Sequence, residues 1–283
     1  MSVNDTILEL NEVTKTFPGV IALKNVDFDV KRGEVLALVG ENGAGKSTLI
    51  KLLGGVHQPD AGNIIFDGNE RIFQSTQESQ ESQISVIYQE FNLVPDLSVA
   101  ENIFIGREPK SAGGLLINWK KINAKAKEIL DRLDSDIDTR KFVADLPVAE
   151  RQMTEIAKAL SFESKLIIMD EPTATLTDKE VRKLFEIVKK LRAEGVSIIY
   201  ISHRMEEAFE LSDRITVLRD GEKIGTKVTA ETNENEIIEM MVGKVVQDYF
   251  EEGESKTAEE VVMDVRDYEI ADYVNGVSFQ LHR

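Results

Sequence analysis

The chain has 283 residues, of which 42% are hydrophobic and 30% charged, and a formal net charge of −17. This is enough for one large domain or two small ones, in the composition of a soluble globular protein. The acidity argues against a nucleic-acid partner, because binding a phosphate backbone takes a basic face. Cysteine is absent, so disulfides are excluded and a reducing compartment is expected. "MSVNDTILEL" lacks the basic-then-apolar pattern of a signal peptide, and no run of about 18 apolar residues occurs, so neither secretion nor a membrane span is expected.

Strand patterns come first: "ILEL" (7–10), "IALKNVDFDV" (21–30) and, after "PDAG", "NIIFDG" (63–68), which together predict an antiparallel sheet. Between them, "EVLALV" (34–39) predicts a short buried strand and "STLIKLLGG" the start of a helix. The residues joining these two, Gly40-x-x-x-x-Gly45-Lys46-Ser47, form a G-x-x-x-x-G-K-[ST] phosphate loop. Its glycines let successive N–H groups converge on phosphate oxygens, and the helix behind adds a positive dipole end. Gly40, Asn42, Gly43, Ala44, Gly45, Lys46, Ser47 and Thr48 are the expected nucleotide cradle. Lys46 would reach the β- and γ-phosphates, and the Ser47 hydroxyl would ligate Mg²⁺.

Further along, "STQESQESQ" (75–83) is a solvated helix or loop, and the stretch from about 92 to 160 is mostly helical. In "NWKKINAKAKEILDRL", Asn118 is the expected N-cap, and Trp119, Ile122, Ala126, Ile129, Leu130 and Leu133 share one face. "KLIIMDEPT" (165–173) is a buried strand ending in two carboxylates. A helix follows, with Thr177 and Glu180 as capping box, a stripe of Val181, Leu184, Phe185, Val188 and Leu191, and Gly195 as stop. "VSIIYIS" (196–202) is a second buried strand. Strand, helix and strand at this spacing require a parallel sheet, so the core is α/β.

Ligands of open α/β sheets gather at the carboxyl ends of strands. Asp170 is placed there to hold Mg²⁺, and Glu171 to polarise an attacking water as general base. His203, one of three histidines, follows the second strand and is positioned to donate to a γ-phosphate. Gln89, in "VIYQEF" (86–91), ends another strand within reach of the metal or the water.

The ordered series "GENGAGKS", "YQEF", "LPVAERQMTEIAKAL", "LIIMDEPT" and "ISHRMEEAFELSDRITVLRDG" resembles the Walker A, Q-loop, signature, Walker B and switch-histidine motifs of ABC transporter ATP-binding subunits. The likeness covers about residues 5 to 245. "QEFNLVPDLSVAENIFIGREP" is similar to the bacterial monosaccharide importers of the ribose, galactose and xylose type. The resemblance implies a P-loop NTPase core with a flanking antiparallel β subdomain and a helical subdomain over about 90–165. It implies an ATPase that uses ATP and Mg²⁺, with Phe17 in "KTFPGV" stacking on adenine. It also implies membrane permease subunits as partners at the cytoplasmic face of the membrane, with an external sugar-binding protein engaged indirectly. The alternative is a soluble ABC-type ATPase not coupled to transport.

Three features depart from that family's pattern. The usual "LSGGQ" stands here as Leu146-Pro147-Val148-Ala149-Glu150, and the usual "SALD" as Ala174-Thr175-Leu176-Thr177. The third is the tail. "VQDYFEEGESKTAEE" (246–260) is an acidic linker; after it "VVMDVRDY" (261–268) resembles "TILELNEV" (6–13), and "VNGVSFQLHR" (274–283) lines up with "LKNVDFDVKR" (23–32). The expected layout is an ATP-binding domain over 1–245 and, over 261–283, the start of a second one that would complete a tandem protein.

Overall fold

The computed structural model describes residues 5–111, 116–243, 261–270 and 274–282. They fall into two units divided after Gly243. In chain order the first unit holds β1 (Thr6–Phe17), β2 (Val20–Lys31), β3 (Val35–Val39), α1 (Lys46–Leu53), β4 (Ala61–Phe66), β5 (Asn69–Arg71), α2 (Thr76–Glu81) and β6 (Ile84–Ile87). Then come α3 (Val99–Phe104), α4 (Trp119–Arg132), α5 (Val148–Leu160), β7 (Leu166–Asp170), α6 (Asp178–Ala193) and β8 (Ser197–Ile201). It closes with α7 (Met205–Leu211), β9 (Arg214–Arg219), β10 (Glu222–Val228) and α8 (Glu234–Val242).

These strands make two sheets. One is antiparallel, in the order β2-β1-β4-β5; the other runs β10-β9-β3-β8-β7-β6 and is parallel except at β10. Sheets of this kind are covered on both faces, so their strands read as unbroken apolar runs. Residues alternate between the two sides: Leu36, Leu38, Ile168 and Ile199 pack toward the antiparallel sheet and α1, while Val35, Ile167, Met169, Ile198 and Tyr200 pack toward α4, α5 and α6. Ala37 and Val39 meet α7 and α8 in a third, smaller core. The central strand β3 is therefore buried at every residue, and its carboxyl end carries the phosphate loop.

The region 92–160, whose pattern predicts mostly helix, holds α3, α4 and α5 with loops between them. Asn118 caps α4 by accepting from the Lys121 N–H, and Ile122, Ala126 and Leu130 are buried. Trp119 departs from the expected stripe: it stands in the first turn and is 52% exposed. The expected capping box at Thr177 and Glu180 starts α6, and Gly195 ends it with a positive φ of 90°. The polar segment 75–83 contains the helix α2, whose Ser79 is buried and donates to the Leu53 carbonyl at 2.7 Å.

In the second unit, β11 (Val261–Ile270) and β12 (Val274–His282) form an antiparallel hairpin. Its six residue pairs, Val261↔His282 to Ile270↔Val274, correspond one for one to pairs of β1 and β2, from Thr6↔Lys31 to Lys15↔Leu23. The irregular steps recur: Asp267 has a positive φ as Glu12 does, and its N–H bonds Ser278 where that of Glu12 bonds Asp27. Leu8, Leu10, Val26 and Phe28 are buried in the first hairpin, whereas Met263, Val277 and Phe279 are exposed in the second. The linker expected at 246–260 lies outside the described residues.

The two sheets of the first unit are joined by charge. Arg214, at the start of β9, donates to both oxygens of Glu34, at 3.0 and 2.8 Å, and to Asp29 of β2 at 2.7 Å. The Arg214 and Glu34 side chains are only 14% and 8% exposed. Removing one member of a buried pair leaves its partner uncompensated, at a cost of about 3–5 kcal/mol. Arg214→Ala is therefore expected to lower the unfolding free energy by about 3 kcal/mol, measured by urea denaturation with an unchanged m-value.

Candidate nucleotide site

The loop after β3 wraps the amino end of α1. Gly43 and Gly45 take φ of 87° and 105°. At Gly45 an added Cβ would lie 2.6 Å from the Ala22 carbonyl of β2, and at Gly40 it would lie 2.3 Å from the Leu218 carbonyl of β9. Both distances are prohibitive against backbone, so each glycine is fixed by close approach as well as by conformation. Lys46 Nζ donates to the carbonyls of Gly40 and Glu41 at 2.6 and 3.0 Å, which curls the loop around the ammonium. Burial pulls the pKa of Lys46 down, against the opposing pull of Glu171 and Asp170.

Three other strand ends meet this loop. Asp170 is the last residue of β7, Gln89 lies two residues beyond β6, and His203 lies two beyond β8. Burial, and then the neighbouring Glu171 carboxylate, push the Asp170 carboxyl above the usual range, while Lys46 opposes the shift. Glu171 adopts a left-handed backbone, φ 47°, and its N–H bonds the Ile201 carbonyl of β8 at 3.0 Å. That turn brings its Oε1 to 3.4 Å from His203 Nδ1.

A cleft of about 480 Å³ unites these groups. Phe17, Asn42, Gly43, Ala44, Gly45, Lys46, Ser47, Thr48, Gln89, Asp170 and Glu171 line it, together with Val20 and Ala22, which sequence reasoning did not single out. Gly40 lies behind the lining, at the contact with Leu218, and His203 stands beside it, with Nδ1 3.4 Å from Glu171 Oε1. Phe17 ends β1 on the cleft wall. His57 meets its ring edge-on at 5.2 Å, and Asp60 fixes the preceding residue by accepting from the Thr16 N–H and hydroxyl at 2.6 and 2.7 Å. Phe17 is 37% exposed, and the Lys15 ammonium stands over its ring, 5.6 Å from the centroid.

Ser47, Gln89 and Asp170 share the wall, a set of hard oxygen donors suited to Mg²⁺. No cluster of three His, Cys, Asp or Glu residues able to hold a metal occurs among the described residues. The amino end of α5 lies elsewhere, with Pro147 at the N-cap position and no side-chain cap.

Residues 23–174 match the model of the ABC transporter family. The chain belongs to that family. It is 51% identical over 250 residues to the ribose import ATP-binding protein RbsA 1 of Streptomyces avermitilis, a match covering 88% of this chain and 47% of the relative. It is 49% identical over 260 residues to that of Rubrobacter xylanophilus, covering 92% and 51%. The chain thus spans about half the length of the curated relatives it matches. Among solved structures, a nucleotide-free ATP-binding cassette from an ABC transporter superposes with a TM-score of 0.73 at 25% identity, over 86% of this chain and 98% of that one. A dimeric cassette in a post-hydrolysis state, bound to ADP and Pi, gives 0.68 at 26% identity over 79% and 99%. Fold class and family are those the motif series implied.

Lys46→Ala removes the ammonium that the phosphate loop encloses. Because a charge-assisted bond to phosphate is worth more than a neutral one, the variant is expected to lose nucleotide affinity by at least about tenfold, or to stop turnover. Titration with a fluorescent ATP analogue and a phosphate-release assay check this; wild-type values for both would remove Lys46 from the site.

Proposed function

We propose that this chain binds and hydrolyses MgATP as the first half of a tandem subunit that energises sugar import through a membrane permease. The observation that carries the reading is the convergence of phosphate loop, Asp170, Glu171 and Gln89 on one cleft, with His203 held against Glu171. In this reading Lys46 and the loop N–H groups hold the phosphates, and Ser47, Asp170 and Gln89 hold Mg²⁺. The ion would neutralise charge developing on the β- and γ-phosphate oxygens. Glu171 accepts the proton of the attacking water, His203 donates to the γ-phosphate, and Phe17 stacks on adenine.

The names of the relatives favour ribose or a similar sugar as cargo. No described helix is long and apolar enough to cross a membrane. In this reading the permease subunits hold the chain at the cytoplasmic face, and a sugar-binding protein serves them from outside. Residues 1–245 form the ATP-binding domain, with 90–165 as its helical subdomain and 246–260 as linker. The shared register of the two hairpins supports assigning 261–283 to a second ATP-binding domain. So does the exposed apolar face of Met263, Val277 and Phe279, whose counterparts in the first hairpin are core.

The two ATP sites of the tandem protein are expected to be unequal. In a head-to-tail pairing Pro147, Val148 and Ala149 face the other domain's nucleotide. Pro147 carries neither an N–H nor a hydroxyl for a phosphate, and side chains replace the glycines that permit close approach. Each lost donor in a dry site costs on the order of 2–4 kcal/mol. Loss of a general base costs a factor of about 10² to 10⁴. In the tandem protein with its permease, Glu171→Gln should nearly abolish steady-state phosphate release, and Pro147→Ser should change it little. Retention of about half the wild-type rate by Glu171→Gln would mean two equivalent sites.

A further inference from the structure

Glu207 lies in α7, outside the cleft, and is 5% exposed. Three hydroxyls donate to its carboxylate: Thr173 Oγ1 to the two oxygens at 2.8 and 2.9 Å, Tyr200 OH at 2.9 Å and Ser202 Oγ at 2.8 Å. The Arg204 guanidinium stands 3.5 Å away. Taking a carboxylate out of water costs several kcal/mol and is tolerated only with such full pairing. A residue needed merely to fill this position would be better apolar, as its helix neighbours Ala208 and Leu211 are.

The donors reveal what the carboxylate joins. Thr173 follows Glu171 by two residues on the turn after β7, and Ser202 immediately precedes His203 on the turn after β8. Tyr200 ties the same group to the β8 strand itself. Burial, reinforced by the nearby Glu207, holds the Tyr200 phenol well above its ordinary pKa, so it acts as a donor. The two turns touch directly through the Glu171 N–H to Ile201 bond and the Glu171–His203 pair at 3.4 Å, and the His203 side chain is 63% exposed.

We propose that Glu207 is a positioning residue, a buried clamp that holds the Glu171 turn and the His203 turn in fixed relation so that both groups address the same γ-phosphate. The inference rests on the assignment of Glu171 and His203 as reacting groups, and it adds to it the element that keeps them together. Small displacements of reacting groups carry large rate penalties, so Glu207 acts on turnover and leaves binding at the phosphate loop alone.

Amide hydrogen exchange on this chain tests the clamp without reference to activity. In Glu207→Gln, segments 171–176 and 202–206 should lose protection together, while β3 and α1 keep theirs. Ser202→Ala, a milder change that guards against misfolding of the first variant, should raise exchange at 171–176, a segment to which its own hydroxyl makes no bond. Loosening confined to α7, or confined to 202–206 in Ser202→Ala, would overturn the proposal. Where turnover is measured, Glu207→Gln should lower kcat on the order of 10²-fold with KM for ATP at the wild-type value; a rise in KM with kcat unchanged would count against it. Absence of hydrolysis in the wild-type chain would remove the hydrolase reading, and the exchange data would still decide whether Glu207 joins the two turns.

Discussion

At two points where the phosphate loop passes between the two sheets, no side chain fits. At Gly45 the backbone of β2 is too close for a Cβ, and at Gly40 that of β9 is. The loop is therefore gripped from both sides, by the antiparallel sheet and by the parallel one, and its N–H groups are aimed by the packing of the whole first unit. Two additional bonds complete the grip: Gly221 N–H to the Ala44 carbonyl at 3.1 Å, and Lys24 N–H to the Gly221 carbonyl at 2.8 Å. A site with this support needs little reorganisation when a charged ligand arrives, which is the condition under which fixed dipoles stabilise charge best.

Charge is unevenly disposed around this loop. A chain of net charge −17 places Asp170 and Glu171 side by side, and burial raises the carboxyl pKa of the former. Lys46 and Lys51 oppose that shift, and the Lys46 ammonium is itself partly desolvated. A ligand bearing phosphates with a divalent cation, as proposed above, would bring a positive charge to the carboxylates and a negative one to the ammonium. Stability comes from elsewhere, from the apolar faces of the parallel sheet and from Arg214 bridging Glu34 and Asp29 across the sheet junction.

Sequence pattern revealed those parts of the fold that local rules control. The glycine spacing of the loop, the apolar runs of β3, β7 and β8, and the box of Thr177 and Glu180 each have a cause within a few residues. Trp119 was misplaced because helical periodicity cannot tell a first-turn residue that overhangs the core from one that enters it. Glu207 escaped notice for a similar reason. In "HRMEEAFEL" it reads as one acid among several on a solvated helix, and only the approach of Thr173 and Ser202 from two other segments makes it a core residue. His57 behind Phe17 and the clamp at Leu218 are likewise long-range meetings, invisible to spacing.

The left-handed backbone at Glu171 has a consequence for the history of the position. A φ of 47° is open to glutamate at modest cost but strongly disfavours β-branched residues, whose Cβ substituents crowd the following carbonyl. With the proposed role of Glu171 as general base, drift there would be filtered twice, once by chemistry and once by conformation. Inactive descendants of such a chain would accumulate glutamine, asparagine or glycine well before valine or isoleucine, so the residue found at this turn in a degenerate copy records which constraint was released first.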